Sequence, residues 1–370
     1  MKLSCTQENL RKGLNLVSRI VSPKITLPIL NNILMETDQG RLKISVTDLE
    51  IGINIWVGAK IDEPGKITVP AKIISEFISN CDDKKIELNQ NEQKLELKSD
   101  KYSVVIQGAS ADEFPLIPQI KEKPISSISG KILEEAIPQV IIAAAIDETR
   151  PVLSGVYFNF SKDKLKMVAT DSYRLAEKSI PLEKKVEKNQ SVIVPLKAVQ
   201  EIGRILGSVA SENVKVSVSE NQIRFAINED IEIISRLIDG QFPNYETIFP
   251  DKYQTKIKID FQDLSSALKV ASLFAKEAAN NINLKIGKGK DLMIFAAADQ
   301  VGTSRAKARA EITGEELELS LNSKFVLDGL NAIKRGKINF DFSGKLTPAK
   351  LYPQDSKDYF YIVMPLRTEE

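Results

Sequence analysis

Two carboxylates each follow a threonine in two similar segments of the chain, at Thr47-Asp48 and Thr170-Asp171. Paired carboxylates are one way in which proteins perform acid–base chemistry, but recurrence at matching places is more typical of a turn held by side-chain hydrogen bonds. The sequence contains no histidine, which excludes Ser-His-Asp and Cys-His nucleophilic sites, HExxH zinc sites and histidine acid–base catalysis. We therefore predict that the chain has no catalytic residue.

The other groups with reactive potential also favour structural roles. Cys5 and Cys81 form neither a CxxC pair nor a disulfide framework, and we predict that both are buried free thiols. The segment Gly-Lys-Gly-Lys at 287–290 is predicted to be a turn between two strands, because no helix follows it to bind phosphate. With no nucleotide-binding motif and no cluster of metal ligands in the sequence, we expect neither a cofactor nor a metal ion.

Opposite charges nearly cancel in this chain: 51 Lys and Arg stand against 50 Asp and Glu, which gives a formal net charge of +1. A protein that grips nucleic acid through a strongly basic face usually shows a larger excess, so any DNA contact is expected to be local or weak. The longest apolar run, at residues 140–146, is far shorter than the roughly 20 residues that span a bilayer. The N-terminus lacks an apolar signal segment, and we predict a cytoplasmic protein with no membrane association.

Self-similarity at a long period is the most informative feature of the sequence. A segment that starts at Leu27 (LPILNNILMETDQGRLKISVTDLEIGI) matches one that starts at Arg150 (RPVLSGVYFNFSKDKLKMVATDSYRLAEK). A weaker third copy runs from Ile282, with Ala298-Asp299 in place of Thr-Asp. The copies recur about every 125 residues, which predicts three tandem domains, at 1–122, 123–251 and 252–370.

The repeating unit is predicted to hold two helices and about eight strands. Each copy opens with an amphipathic helix, such as the one marked by Leu10 and Leu14. The second of these, at residues 131–146, contains Pro138 and is expected to kink there. Asn322 is placed to cap the last helix of the chain. Helices packed on one face of antiparallel sheets make an α+β domain, and this is the predicted fold class.

Six short motifs, taken together, resemble one family. They are TLPIL at residues 26–30, VTDLE at 46–50, VATDSYRLA at 168–176, IVP at 193–195, DGQFPNY at 239–245 and YIVMPLR at 361–367. Their order and spacing across the whole chain resemble the bacterial sliding clamps, the beta subunits of DNA polymerase III. The resemblance implies three-domain subunits that dimerise head to tail into a six-domain ring around duplex DNA. Such a ring tethers the replicative polymerase as a non-catalytic processivity subunit.

The resemblance also implies the partners of the ring. They are encircled double-stranded DNA, bound without regard to sequence, a second copy of the chain, the DNA polymerase III alpha subunit, the clamp loader, and other polymerases, ligase and repair proteins with clamp-binding motifs. In clamps the helices line the hole, where mild positive charge attracts phosphate without immobilising the protein. The candidate DNA-facing residues are Lys12, Lys24, Lys197, Arg204, Lys334 and Arg335. The candidate dimer-interface residues are Val104, Ile106, Leu273 and Phe274.

By the same resemblance, a hydrophobic cleft between the second and third domains receives short linear motifs of partner proteins. Leucines and a methionine suit the Leu or Phe anchors of a peptide, and polar groups at the edge fix its orientation. The residues that match this cleft are Arg150, Leu153, Thr170, Ser172, Tyr173, Arg174, Leu175, Pro243, Thr247, Ile248, Asn322, Phe325, Leu346, Ile362, Met364, Pro365, Leu366 and Arg367.

Three segments depart from the family pattern. Ser172-Tyr173 replaces a Gly-His pair, and Thr247 replaces a basic residue at the cleft edge. Residues 301–309 (VGTSRAKAR) carry basic side chains where the family often has an acidic stretch. Two alternatives stay open from the sequence: a repeat-domain protein scaffold that does not encircle DNA, and an enzyme that uses carboxylate or lysine chemistry.

Overall fold

The structure is a computed structural model that describes residues 1–21, 27–147, 149–250, 252–287, 289 and 291–367. By its contacts the chain falls into two compact units: unit 1 holds Met1–Lys131 and Glu201–Leu237, and unit 2 holds Ile132–Gln200 and Ile238–Glu370. The three domain boundaries stay a prediction. Lys24 and the turn residues Lys288 and Lys290 lie outside the described residues. In the part of the chain that is described, no helix has the length and apolar character needed to cross a membrane.

The elements recur in a similar order in each third of the chain. The first repeat consists of β1 Lys2–Thr6, α1 Gln7–Val17, β2 Asn32–Asp38, β3 Arg41–Thr47, β4 Ile51–Val57, β5 Lys60–Glu63, β6 Lys66–Pro70, α2 Ala71–Asn80, β7 Lys85–Asn91, β8 Lys94–Lys98 and β9 Ser103–Gln107. The second consists of β10 Ser126–Ser129, α3 Gly130–Ile141, β11 Gly155–Ser161, β12 Lys164–Thr170, β13 Arg174–Pro181, β14 Gln190–Pro195, α4 Leu196–Leu206, β15 Asn213–Val218, β16 Gln222–Ile227 and β17 Ile231–Arg236. The third consists of β18 Thr255–Asp260, α5 Phe261–Ala275, β19 Asn281–Ile286, β20 Asp291–Ala298, β21 Gly302–Gly314, β22 Leu317–Asn322, α6 Ser323–Ile333, β23 Lys337–Phe342, β24 Ala349–Pro353 and β25 Tyr359–Val363.

The six predicted helices are confirmed, and so is the cap at Asn322, whose Oδ1 accepts hydrogen bonds from Lys324 N and Phe325 N. One helix is shorter than predicted. α3 ends at Ile141, in the turn that contains Pro138, whereas the sequence pattern continues to residue 146. Pro138 lies inside the helix, which continues past it to Ile141, and the residues after the helix end form tighter turns bonded three residues apart.

Unit 1 contains two antiparallel sheets. The first has the strand order β5-β1-β7-β8-β9, so that β9 is an edge strand. The second has the order β10-β15-β16-β17-β4-β3-β2-β6. This second sheet joins two repeats, because β17 of the second repeat pairs with β4 of the first, with Ile233 opposite Ile53.

Unit 2 contains one 12-stranded sheet of order β14-β11-β12-β13-β25-β24-β23-β18-β21-β20-β19-β22. Here β25 of the third repeat pairs with β13 of the second, with Tyr361 opposite Ala176. The relation is the one seen in unit 1: the last strand of a repeat pairs with an inner strand of the repeat before it. β21 is shared between two neighbours, since its residues 302–309 pair with β20 and its residues 310–314 pair with β18.

Helices cover one face of these sheets and enclose the core. α1 packs on β3 and β4, and α5 packs on β20 and β21. Leu10 and Leu14 of α1 are buried, as the amphipathic pattern predicts. Cys5 and Cys81 are buried free thiols, and burial raises the pKa of the Cys5 thiol to about 12. The α+β class predicted from the sequence is confirmed.

The first Thr-Asp pair is a turn device, as predicted. Thr47 Oγ1 donates to Ile51 O at 2.9 Å and accepts from Leu49 N at 3.0 Å. Asp48 Oδ1 accepts from Glu50 N and Ile51 N at 3.0 and 2.8 Å. These bonds satisfy the backbone of a turn in which Leu49 has a φ of 78°, a conformation that costs a leucine free energy unless its surroundings hold it. Asp48 therefore has a structural role.

Replacing Asp48 with alanine removes the two hydrogen bonds that its carboxylate accepts, and we expect the free energy of unfolding to fall by about 1–2 kcal/mol. Urea denaturation followed by circular dichroism measures the change. The exposed Asp355→Ala is the matched control and should stay within about 0.5 kcal/mol of the wild type. Equal stability of the two variants would contradict the structural role.

Candidate partner-binding site

The predicted cleft residues all belong to unit 2, and Arg174 at the start of β13 is their charged centre. Arg174 Nε donates to Asp171 Oδ2 at 2.9 Å, and its Nη1 donates to Asp328 Oδ2 of α6 at 2.5 Å. Its Cζ lies 4.4 Å from the centroid of the Phe325 ring, also on α6. Arg174 is 8% exposed. A buried guanidinium thus fastens the second repeat to α6 through two charge-assisted hydrogen bonds and an aromatic face.

The turn before Arg174 repeats the bonds of the first Thr-Asp turn. Thr170 Oγ1 donates to Arg174 O at 2.7 Å and accepts from Ser172 N at 3.2 Å. Asp171 Oδ1 accepts from Tyr173 N and Arg174 N, both at 2.9 Å. Ser172 has a φ of 80°, close to the value at Leu49. The turn therefore has a fixed backbone, and it presents Tyr173 with 58% of its surface exposed.

The segment 364–367 lies against this turn and against β22. Met364 N donates to Tyr173 O at 2.8 Å, and Leu366 N donates to Ser320 O of β22 at 2.9 Å. Met364 and Leu366 are half-buried, while Arg367 is exposed. Two backbone hydrogen bonds therefore hold this segment in place, although residues near a chain end usually fray. The segment is positioned to form one wall of the predicted cleft.

The connector between β17 and β18 contains a one-turn 3-10 helix at Tyr245–Ile248, and its Tyr245 packs with Leu175 and Ile362. Ile248 is 38% exposed. Pro243 and Thr247 are also exposed, and Thr247 Oγ1 donates to Asn244 O at 2.9 Å. Tyr245 is buried, so the connector is anchored at its centre and exposes apolar and polar groups on either side.

Beneath the connector and β25 lies a buried apolar cluster of Val168, Leu175, Tyr245 and Ile362, which is the floor of the predicted cleft. Leu175 and Ile362 stand opposite each other in the pairing of β13 with β25. They are 2% and 1% exposed, and they support the surface from below. Leu153, at 9% exposed, is likewise almost buried.

The structure brings most of the predicted cleft residues together, although not all of them. Arg150 Nη1 donates to Ser172 Oγ at 3.1 Å, and Asn322 caps the helix that carries Phe325. Leu346 lies between β23 and β24, 58% exposed. The hydrogen bonds and strand pairings described above include neither Leu346 nor Pro243.

Sequence reasoning missed three residues that hold the site. Asp328 pairs with Arg174 as described, and Tyr245 Oη donates to Glu177 Oε2 at 2.6 Å. Burial raises the pKa of the Glu177 carboxyl above its ordinary value. Tyr245 lies in the DGQFPNY motif and Glu177 directly follows VATDSYRLA, but nothing in either motif indicates that the two side chains meet.

The candidate DNA-facing cations have different environments. Lys12, Lys197, Lys334 and Arg335 are exposed, and Lys12 Nζ lies 2.7 Å from Glu8 Oε1. The side chain of Arg204 is 17% exposed and bonds to Glu201 Oε2 at 2.7 Å and to the carbonyl oxygen of Leu16. Arg204 therefore has a structural role between α4 and α1 of unit 1.

The candidate dimer-interface residues lie on an edge strand and on a helix. Val104 is half-buried and Ile106 is 5% exposed, whereas their neighbour Val105 is 56% exposed. On α5, Leu273 is 70% exposed and Phe274 is half-buried. An exposed leucine on a helix and the free edge of a sheet are both features of a surface that another chain can cover.

Comparisons with known proteins agree on one family. Sequence profiles of the DNA polymerase III beta subunit match in chain order: the N-terminal domain at residues 1–118, the central domain at 127–244 and the C-terminal domain at 246–367. A beta sliding clamp of Staphylococcus epidermidis is 31% identical over 379 residues and covers 100% of both chains. Its relative from Staphylococcus aureus is 31% identical over 366 residues, with 96% of each chain covered.

Solved structures give the same result. The DNA polymerase sliding clamp of Bacillus subtilis superimposes with a TM-score of 0.95 at 26% identity and covers 100% of both chains. A sliding clamp of Pseudomonas aeruginosa bound to griselimycin superimposes with a TM-score of 0.94 at 28% identity, also over 100% of both chains.

Replacing Arg174 with methionine keeps much of the side-chain volume but leaves Asp171 and Asp328 without their cation. We expect the free energy of unfolding to fall by about 2–3 kcal/mol, because two partly buried carboxylates then lose the cation that they share. The matched control is Lys178→Met, which breaks a 3.5 Å pair with Asp358, whose side chain is 57% exposed, and should cost less than about 1 kcal/mol. Chemical denaturation measures both, and a larger loss in the control would contradict the role assigned to Arg174.

Proposed function

This chain belongs to the DNA polymerase III beta subunit family, the bacterial sliding clamps, and from that premise we propose which of its surfaces close the ring and which one receives partner proteins. It is a DNA sliding clamp, a non-catalytic processivity factor. Membership of this family argues against the alternative of a repeat-domain scaffold that does not encircle DNA.

The surface formed by Tyr173, the connector 243–248 and the segment 364–367 is the proposed partner-binding cleft. The observation that carries this proposal is the segment 364–367, which is bonded at Tyr173 and at Ser320 above the buried floor. The proposed occupants are short linear motifs of the DNA polymerase III alpha subunit, the clamp loader, and other polymerases, ligase and repair proteins.

The chemistry of the cleft suits a peptide with large apolar anchors. Ile248 and Leu346 are exposed apolar side chains, and Met364 adds a flexible thioether that adapts to different side chains. Arg150 and Thr247 are polar groups at the edge, where they can bond to peptide backbone and fix its direction. Burial of one leucine or phenylalanine of the peptide contributes about 1.5–3 kcal/mol, and the polar edge supplies orientation.

Ring closure is proposed to repeat the pairing rule already seen twice within the chain. The last strand of the second repeat pairs with β4, and that of the third repeat pairs with β13. Among the strands that the structure describes, two have no such junction partner. One is β9, the last strand of the first repeat, which lies at the edge of its sheet; the other is β21, which corresponds to β4 and β13 and whose residues 302–309 pair with β20. Unpaired edges of this kind invite another strand. Pairing of β9 with β21 of a second copy, made twice, closes a head-to-tail dimer.

Equivalent hairpin positions set the register of the proposed contact. In the last hairpin of the second repeat Ile233 is paired with Phe225, and in that of the third repeat Tyr361 is paired with Leu351. In the last hairpin of the first repeat the equivalent pair is Val104 with Leu97. On the other side, Ile53 faces Val46 and Ser304 faces Ala296. Since Ile233 stands opposite Ile53, Val104 should stand opposite Ser304 of the other copy.

The helices of each junction support the same rule. Leu16 of α1 accepts a hydrogen bond from Arg204 of α4, and Gln139 of α3 donates one to Ala332 of α6 at 3.0 Å. Val270 of α5 is the residue equivalent to Leu16 and Gln139, and it is 50% exposed. On α2, which corresponds to α4 and α6, Ile73 is 53% exposed. These apolar side chains are proposed to cover each other in the dimer, beside Leu273 and Phe274.

Near-neutral charge fits a protein that holds DNA by enclosing it. The exposed cations Lys12, Lys197, Lys334 and Arg335 are proposed to face the enclosed duplex. Few phosphate contacts imply a weak dependence of retention on salt. The cationic groups then attract the backbone without fixing the clamp at one place.

A chain that ends at Val363 lacks the segment 364–367 and should lose binding of a fluorescein-labelled alpha subunit peptide with Leu and Phe anchors, as measured by fluorescence polarisation. A chain that ends at Arg367 is the matched control and should bind as the full chain does. Griselimycin, which the Pseudomonas aeruginosa clamp holds in its crystal structure, serves as a second probe. Sedimentation should show both variants as dimers. Unchanged peptide affinity in the shorter chain would exclude the proposed cleft.

The register predicts a disulfide between copies. In the double variant Val104→Cys and Ser304→Cys, mild oxidation should give a covalent dimer on a non-reducing gel, because facing residues of paired strands lie within disulfide reach. The control Val105→Cys with Ser304→Cys places one thiol on the opposite face of the strand and should stay monomeric on the gel. A covalent dimer in the control alone would refute the register, and none in either variant would refute the strand pairing.

A further inference from the structure

We infer that Glu177 and Tyr245 form a positioning pair that fixes the connector wall of the cleft and thereby sets its affinity for partner peptides. The inference rests on the partner-binding function proposed above. It assigns a role to two side chains that lie behind the exposed surface and do not themselves meet the peptide.

The pair is a short hydrogen bond between two buried residues. Tyr245 Oη donates to Glu177 Oε2 at 2.6 Å, and the residues are 8% and 9% exposed. Lys166 Nζ lies 3.8 Å from Glu177 Oε1 and 3.3 Å from Glu246 Oε1. The carboxylate is thus held between a phenol and a shared lysine, and a hydrogen bond to a charged acceptor is stronger than a neutral one.

Aromatic packing around Tyr245 keeps the connector on the sheet. The rings of Tyr157 and Phe242 are stacked with centroids 4.9 Å apart, and Tyr245 meets Phe242 and Phe249 edge to face at 6.3 and 6.4 Å. Such contacts are favourable over a range of offsets. The bond to Glu177 has a defined length and direction, so it fixes where along β13 the connector lies.

The same chain offers a comparison at the junction of its first two repeats. Asn54 is the equivalent of Glu177 there: Asn54 of β4 is paired with Glu232 of β17, and Glu177 of β13 is paired with Phe360 of β25. Asn54, however, accepts its hydrogen bond from Ser45 of the neighbouring strand, at 2.8 Å. A cavity of about 680 Å³ lies beside Asn54. Its lining includes Asn54, Trp56, and Phe114 and Ile117 from the segment between β9 and β10. The repeat therefore folds without a tyrosine–carboxylate bond, and the bond belongs to the junction that carries the cleft.

Tyr245 connects this bond to the cleft in two ways. It begins the 3-10 turn that exposes Thr247 and Ile248, so its position sets that wall. It also packs in the cluster with Leu175 and Ile362, which form the floor. When the bond is lost, the wall and floor are free to shift together, and a peptide must order them as it binds, which lowers its affinity.

The test compares two tyrosine–carboxylate pairs of unit 2. Tyr245→Phe and Glu177→Ala remove the proposed positioning bond, while Glu177→Gln keeps an acceptor oxygen. The controls are Tyr352→Phe and Asp341→Asn, which remove or weaken the 2.9 Å bond from Tyr352 Oη to Asp341 Oδ2, a bond between β24 and β23. Fluorescence polarisation with the labelled alpha subunit peptide gives affinity, and thermal denaturation gives stability for each full-length variant.

We expect Tyr245→Phe and Glu177→Ala to weaken peptide binding about five- to tenfold, and the double variant to lose no more than either. Glu177→Gln and both control variants should bind within about twofold of the wild type, even where the controls lower the melting temperature as much. Wild-type affinity in Tyr245→Phe, or equal losses in the controls, would overturn the positioning role. A wild-type chain that binds no peptide, or a chain ending at Val363 that binds as tightly, would overturn the proposed cleft and this role with it.

Discussion

The pairing of the last strand of one repeat with an inner strand of the repeat before it is the constraint on which the rest of this structure depends. It joins β17 to β4 and β25 to β13, and each junction satisfies backbone groups that would otherwise be exposed along an edge. A chain of three such repeats leaves two edges of the described sheets without a junction partner: the last strand of the first repeat, β9, and the inner strand of the third repeat, β21. A second copy is a partner whose edges match both, and a head-to-tail pair that closes on itself is the dimer proposed above.

Enclosure also explains the charge of the protein. A clamp that surrounds DNA needs no strongly basic face, and the net charge is only +1. Weak contacts with phosphate allow movement along the duplex. We propose that the protein's specific recognition is directed at other proteins, at the junction where β13 meets β25, beside Arg174 and the segment 364–367.

Much of the fold was accessible from the sequence because it depends on local patterns. Helical periodicity located the helix that opens each repeat, and the recurring Thr-Asp pairs were recognised as turns, since their hydrogen bonds reach only a few residues along the chain. The third copy is looser: Ala298 ends β20 opposite Gly302, one residue beyond the place of Thr47 in the register used above, and it has no hydroxyl. The end of α3 was placed too late because apolar residues continue to residue 146, beyond the last helical residue Ile141.

The parts of the site that sequence did not reveal are contacts between distant residues. Glu177 and Tyr245 are 68 residues apart, and Arg174 and Asp328 are 154 apart, so neither pair has a local signature. The prediction that Arg204 faces DNA rests on its place on a helix, and it did not include the bonds of its guanidinium to Glu201 and the backbone of Leu16. Charge type is visible in a sequence, whereas the use of a charge depends on which elements pack beside it.

Closure of two copies into a ring through their free edges can be seen by negative-stain electron microscopy of the purified protein, at a concentration where the dimer persists. We expect closed rings of six lobes around a hole wide enough for duplex DNA. Three-lobed particles, or open filaments in which copies add head to tail without closing, would exclude the proposed ring.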